Sequence, residues 1–133
     1  MMSSDLAGYG FGPWWPFSRL QERTLLATVP KAIGAYAIRR REPFQRVLGQ
    51  SDLLYVGCAT NAQGLNLRLR QYFHPGPTQR TNRRILEVIG TSGDFEVAVA
   101  VSESIAAARA LEATLLERYE RDHGELPPEN RRR

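Results

Sequence analysis

One cysteine, one lysine and two histidines stand among the 133 residues, and each scarcity excludes something. A lone cysteine, Cys58, closes no disulfide within the chain and leaves no four-cysteine zinc site. A cysteine hydrolase needs a histidine beside its nucleophile. His74 falls in the Pro/Gly stretch HPGPT and His123 near the end of a predicted helix, and neither forms a recognisable pattern with Cys58. No apolar run approaches the roughly 18–20 residues that span a bilayer, so no membrane partner is expected. The opening stretch MMSSDLAGYGFGPWWPF has neither a basic n-region nor an apolar h-region. No signal peptide is therefore expected, and a cytoplasmic location is the default.

With lysine nearly absent, seventeen of the eighteen basic residues are arginine, and the net charge is +4. The charge is unevenly spread. Residues 31–85 hold ten basic and two acidic side chains, and residues 86–125 hold three basic and nine acidic. Such polarity points to a basic face for a polyanion, since arginine makes bidentate phosphate contacts. Arg39, Arg40, Arg70, Arg80, Arg83 and Arg84 are the candidate contacts, joined by the tail Arg131–Arg133. A solvated mixed surface is the plainer alternative.

The length suits one domain with one core. Residues 1–30 read as an aromatic, Pro-rich arm followed by a short helix over 18–29, capped by Ser18 and ended by Pro30. Trp14, Trp15 and Phe17 are expected to pack onto the core. Residues 31–133 carry the remaining elements. IGAYAI (33–38) and DLLYVGC (52–58) read as strands of an antiparallel pair joined by a longish polar loop. Leu65, Leu69, Tyr72 and Phe73 mark a helix face within 61–73. TNRRILEVIG reads as a second helix with Thr81 as cap and Gly90 as stop. FEVAVAV is a third strand, and residues 103–123 form the longest helix, closed by Gly124. The expectation is an α+β fold: a three-stranded antiparallel sheet flanked by helices, in the order β-β-α-α-β-α.

In the last helix the apolar residues Ile105, Ala108, Leu111, Leu115, Leu116 and Tyr119 centre within roughly 30° of Glu112 on a wheel of 100° per residue. Glu112 is thus the one carboxylate aimed into the stripe that should be buried. A buried carboxylate is costly unless it is protonated, paired or bound to a metal. A structural ion pair, a metal ligand and a catalytic acid all satisfy that requirement. Arg68 lies on the flank of its helix's apolar face, where a guanidinium lines a cleft, whereas Arg70 points away. Tyr36 and Tyr55 sit on neighbouring strands. A free tyrosine, with a pKa near 10, is a poor base at neutral pH unless a cation or metal helps it.

Together these residues resemble the GIY-YIG nuclease superfamily. Its first motif is matched by Gly34-Ala35-Tyr36 and its second by Tyr55-Val56-Gly57. Its helix arginine is matched by Arg68 in RLRQYF, a string similar to the N-terminal nuclease domain of bacterial excision-repair endonucleases. Its glutamate is matched by Glu112 in EATLLERY and its terminal asparagine by Asn130 in ELPPEN. Ala35 stands where isoleucine is usual, and Cys58 stands where some relatives carry lysine or serine. The spacing from Glu112 to Asn130 is longer than in compact relatives. The resemblance implies metal-assisted phosphodiester hydrolysis of a nucleic acid, with DNA favoured. Glu112 would hold one Mg²⁺ or Mn²⁺, Arg68 would stabilise phosphate charge, and Tyr36 or Tyr55 would serve the attacking water. Asn130 would support a tyrosine or Glu112, and Gly57 would let backbone or substrate approach closely. Specificity would come from a protein partner, from a homodimer or from nucleic-acid structure. A catalytically weak nucleic-acid-binding module and a protein-interaction domain are the competing classes. Cys58→Ala is expected to retain hydrolysis in a cleavage assay; abolished hydrolysis would reinstate a thiol nucleophile.

Overall fold

The structure, a computed structural model of the chain, describes residues 1–90 and 93–130. The Arg131–Arg133 tail lies outside the described residues. A 3-10 turn over Ser3–Tyr9 opens the chain, followed by a two-residue strand β1 (Trp15–Pro16). A second 3-10 turn, Arg19–Gln21, leads into α1 (Glu22–Thr28). Then come β2 (Gly34–Gln45), β3 (Gln50–Ala59), α2 (Gly64–Phe73), α3 (Arg80–Ile89), β4 (Phe95–Val101) and α4 (Ile105–His123). From β2 onward the order is β-β-α-α-β-α, and the class is α+β. Among the described residues no helix is long and apolar enough to cross a membrane.

The expected three-stranded sheet is corrected to four antiparallel strands in the order β1-β4-β2-β3. The extra strand comes from the arm, where Trp15 and Pro16 pair with Val97 and Glu96. Two residues ending on a proline present no alternation to detect, and proline is tolerated only at such an edge. The expected long loop between the first pair is also corrected. β2 continues to Gln45 and β3 starts at Gln50, so the turn is short and closed by Arg46 N–H donating to Gly49 C=O at 2.9 Å. Register shifts flank Arg39 and run to Phe44. This bulge interrupts the alternation and disguises strand as loop. Thr81 does not cap α3; it lies in the first turn, and Gln79 occupies the cap position. Ser104 caps α4 by accepting from Ala107 N–H at 3.0 Å, and Gly124 ends it at φ 75°.

The two sheet faces take different residues. Tyr36, Ile38, Val97 and Val99 meet α1, α2 and α3 through Leu25, Leu65, Leu69, Tyr72, Phe73, Ile85 and Ile89. The opposite face is lined with small residues, Ala35, Ala37, Ala98 and Ala100, which let α4 settle close with Leu115, Leu116 and Tyr119. Alternation of small and large residues along GAYAI and VAVA thus decides which helix packs where. The arm joins both cores: Phe17 lies with the first, and Met1, Leu6 and Phe11 with the second. Of the aromatics expected on the core, Phe17 is buried and Trp14 and Trp15 are half-buried. Ile105, expected in the buried stripe of α4, is instead 41% exposed at the first position of the helix.

Gly34 shows how tightly β2 is held. A Cβ there would lie 2.3 Å from the Ala100 carbonyl oxygen and 2.9 Å from Leu65 Cδ1. Backbone cannot step aside as a flexible side chain can. Gly34→Ala is expected to cost about 3 kcal/mol; urea unfolding checks this, and a change below about 0.5 kcal/mol contradicts the packing described.

Candidate active site

Tyr36 and Gly57 face each other directly across β2 and β3. A Cβ on Gly57 would stand 2.7 Å from Tyr36 Oη, 2.8 Å from its Cζ and 2.8 Å from Tyr55 Cε1. The resemblance implied that Gly57 lets backbone or substrate approach closely; the group that approaches is the side chain of the chain's own Tyr36. In that position the Tyr36 hydroxyl shares a 2.6 Å hydrogen bond with the Tyr72 hydroxyl and accepts another from Arg68 Nε at 3.2 Å. Tyr55 completes the cluster, its ring 5.9 Å from Tyr36 and 6.4 Å from Tyr72. Tyr36 and Tyr72 are buried, whereas Tyr55 and Arg68 are half-buried and reach the rim. Gln71 Oε1 accepts from Arg68 Nη1 at 3.5 Å, and the guanidinium stands 5.6 Å from the Tyr72 ring centroid.

Electrostatics follow from burial. Desolvation, reinforced by neighbouring tyrosines, raises the Tyr36 and Tyr72 hydroxyls far above the ordinary tyrosine value. Burial works against the Arg68 charge, but the tyrosine oxygens outweigh it and hold its pKa above normal. Tyr36 is thus an uncharged acceptor that orients Arg68, and an unsuitable base. Tyr55 is the tyrosine of the cluster with access to solvent.

Glu112 approaches the same rim from α4, on the other side of the sheet. It is half-buried rather than enclosed. Burial raises its carboxyl pKa; Cys58, whose thiol and backbone turn toward it, then Arg68 and Arg109, offset part of the rise. Burial together with the Glu112 charge pushes the Cys58 thiol up to about 11, which keeps it protonated at neutral pH and unfit as a nucleophile. Among the described residues no ion pair includes Glu112, and no group of three His, Cys, Asp or Glu converges on a metal position. Mg²⁺ asks for less, since it is bound through one or two carboxylates and keeps several waters. A single desolvated carboxylate with no salt bridge among the described residues fits that role; the Cys58 thiol is a softer donor than Mg²⁺ favours.

Asn130 joins the site in a different way from that expected. Its amide clamps the Val56 backbone, with Oδ1 accepting from Val56 N–H at 3.0 Å and Nδ2 donating to Val56 C=O at 2.9 Å. It therefore acts on the strand between Tyr55 and Gly57 rather than on a tyrosine hydroxyl or Glu112. The basic residues divide. Arg70, Arg80 and Arg83 are exposed on α2 and α3. Arg39 is committed within the fold: it donates to Glu96 at 2.7 and 3.0 Å and to Ser3 Oγ at 3.1 Å, and lies 4.1 Å over the Trp14 ring. Arg40 holds the bulge through the Glu42 and Pro43 carbonyls. Arg84 is paired with Glu129. Tyr72, which the sequence marks only as a core position, belongs to the site. Its spacing of four from Arg68 on one helix face was the available signal. No family model, curated protein or solved structure matches the chain.

Because the folded pKa values of Tyr36 and Tyr72 lie above the free value, the stability they contribute is fully present below about pH 10 and lost as pH rises beyond it. Ultraviolet titration of the folded protein is expected to leave both tyrosines unionised where free tyrosine ionises, and to release them on unfolding. Ionisation of all five tyrosines in the folded state near the free value contradicts the buried cluster.

Proposed function

We propose that this protein is a metal-dependent endonuclease of the GIY-YIG type that hydrolyses phosphodiester bonds in nucleic acid, DNA above all. One observation carries the proposal: a guanidinium anchored by a buried tyrosine pair stands within electrostatic reach of a desolvated carboxylate that forms no salt bridge among the described residues. A structural salt bridge would have closed that gap. Left open, it suits a phosphate flanked by arginine on one side and a metal on the other. The five motif positions Tyr36, Tyr55, Arg68, Glu112 and Asn130 contribute to this one rim, which adds support.

In this mechanism Glu112 would hold one Mg²⁺ or Mn²⁺, which when bound supplies positive charge toward the phosphate. Arg68 meets the phosphate oxygens with the donors that face outward from the Tyr36 bond, and it is already oriented before substrate arrives. Tyr55, the tyrosine open to solvent, orients the attacking water by hydrogen bonding. Tyr36 and Tyr72 hold Arg68 in place and move no proton. Asn130 fixes the strand that carries Tyr55. Arg70, Arg80 and Arg83 contact the backbone of the nucleic acid, contributing affinity without reading sequence.

The test is incubation with Mg²⁺ or Mn²⁺ across single-stranded, duplex, nicked and branched DNA, and RNA. Cleavage is expected, and Glu112→Ala should reduce it at least about a hundredfold with an unchanged far-ultraviolet CD spectrum. Undiminished cleavage by that variant overturns the assignment. Binding that tolerates EDTA, with no cleavage of any substrate, would make the protein a nucleic-acid-binding module instead. Since the Glu112 carboxyl is raised and the metal needs it ionised, the metal requirement should increase as pH falls, beginning above the ordinary glutamate range. A metal requirement that stays constant from neutral pH down to the ordinary glutamate pKa contradicts this.

A further inference from the structure

β3 is the outer strand of the sheet, and an outer strand leaves backbone groups bare. Here residues 125–130 run along that edge as a strap. Glu129 N–H donates to Leu54 C=O at 3.0 Å, and the Asn130 amide clamps Val56. Two arginines fasten the ends. Arg46 Nη2 donates to Leu126 C=O at 2.7 Å and to Glu125 Oε1 at 2.9 Å. Arg84, on α3, donates from Nε to Glu129 Oε1 at 2.5 Å and from Nη2 to Glu129 C=O at 3.0 Å.

We propose that Arg84 is a positioning residue: by gripping the Glu129 side chain and carbonyl it keeps Asn130 seated on Val56, and so sets the strand between Tyr55 and Gly57. Three features support the assignment. The grip is made on both the carboxylate and the backbone of Glu129, a fork that only a guanidinium supplies. The pair is largely shielded, its side chains 26% and 14% exposed, so solvent and salt screen it less than a surface ion pair. Pro127 and Pro128 have no N–H with which to pair, so the strap leans on its polar anchors. A shift at Val56 moves the Tyr55 hydroxyl and loosens the Gly57 contact that holds Tyr36 against Arg68. Arg84 therefore acts on the site from α3 without touching substrate, unlike its neighbours Arg80 and Arg83.

The catalytic part of this inference rests on the nuclease function proposed above; the structural part does not. Two measurements separate them. Amide exchange of Val56, read by NMR, is expected to accelerate at least about tenfold in Arg84→Gln and similarly in Asn130→Ala, with the β2–β4 amides still protected. In the cleavage assay Arg84→Gln is expected to lower kcat about tenfold or more with KM within about twofold, and Arg84→Lys to recover little of it. The double reversal Arg84→Glu/Glu129→Arg restores the ion pair but not the donor to the residue-129 carbonyl, so it should recover each readout in part relative to either single change. Unchanged Val56 exchange in Arg84→Gln overturns the inference. So does a raised KM with a reversal that binds nucleic acid worse, which would make Arg84 a phosphate contact. If no nucleic acid is cleaved, the nuclease proposal fails, while the exchange measurement still decides the strap.

Discussion

The hydrogen bond from Arg68 to the Tyr36 hydroxyl is the contact on which the rest of the site depends. A bond to a charged donor contributes about 1.5–3 kcal/mol, and this one also fixes where the charge points. It exists because Gly57 has no side chain where the Tyr36 ring lies. It persists because Tyr72 supplies the second hydroxyl and the core excludes water from both. The same burial that makes Tyr36 and Tyr72 useless as bases makes them rigid acceptors. The guanidinium thereby avoids much of the ordering cost that a surface arginine would incur on meeting a phosphate.

The site is divided by the sheet. Tyr36, Tyr55, Tyr72 and Arg68 lie with the large side chains on one face, and Cys58 and Glu112 belong to the α4 side. The two sets are linked electrostatically, since the Arg68 charge acts on both Cys58 and Glu112. The uneven charge along the chain fits this division: the basic segment includes α2 and α3, and the acidic one includes α4. Glu112 is the acid of α4 on which the Arg68 charge acts. An outer strand is also the least constrained part of a sheet, which is why the Glu125–Asn130 strap, anchored by Arg46 and Arg84, bears on the geometry of Tyr55.

Much of this was legible in the sequence, for physical reasons that can be named. α2 and α4 are long enough for a 3.6-residue period to show, and that period alone placed Arg68 on a flank and Glu112 near the apolar stripe. The small–large alternation of β2 and β4 was equally plain, though its meaning required knowing that α4 packs on the alanines. What was hidden lay where periodicity fails. β1 is two residues long; the Arg39–Phe44 bulge broke the strand pattern; Ile105 fits the wheel but is exposed at the first position of α4. Pairing partners are not encoded locally, so Arg39 and Arg84 looked like phosphate contacts until Glu96 and Glu129, far away in the chain, came into range. The occupant of the space at Gly57 was hidden for the same reason: a glycine signals a close approach without saying what approaches.

The measurement closest to the central claim is paramagnetic broadening by Mn²⁺. When Mn²⁺ is titrated into the isotope-labelled protein, the amide signals of Gly57, Cys58 and Leu111 to Ala113 should broaden first, and Glu112→Ala should abolish that selectivity. Broadening centred elsewhere, or unchanged in the variant, would contradict a metal held at this rim and the hydrolytic role built on it.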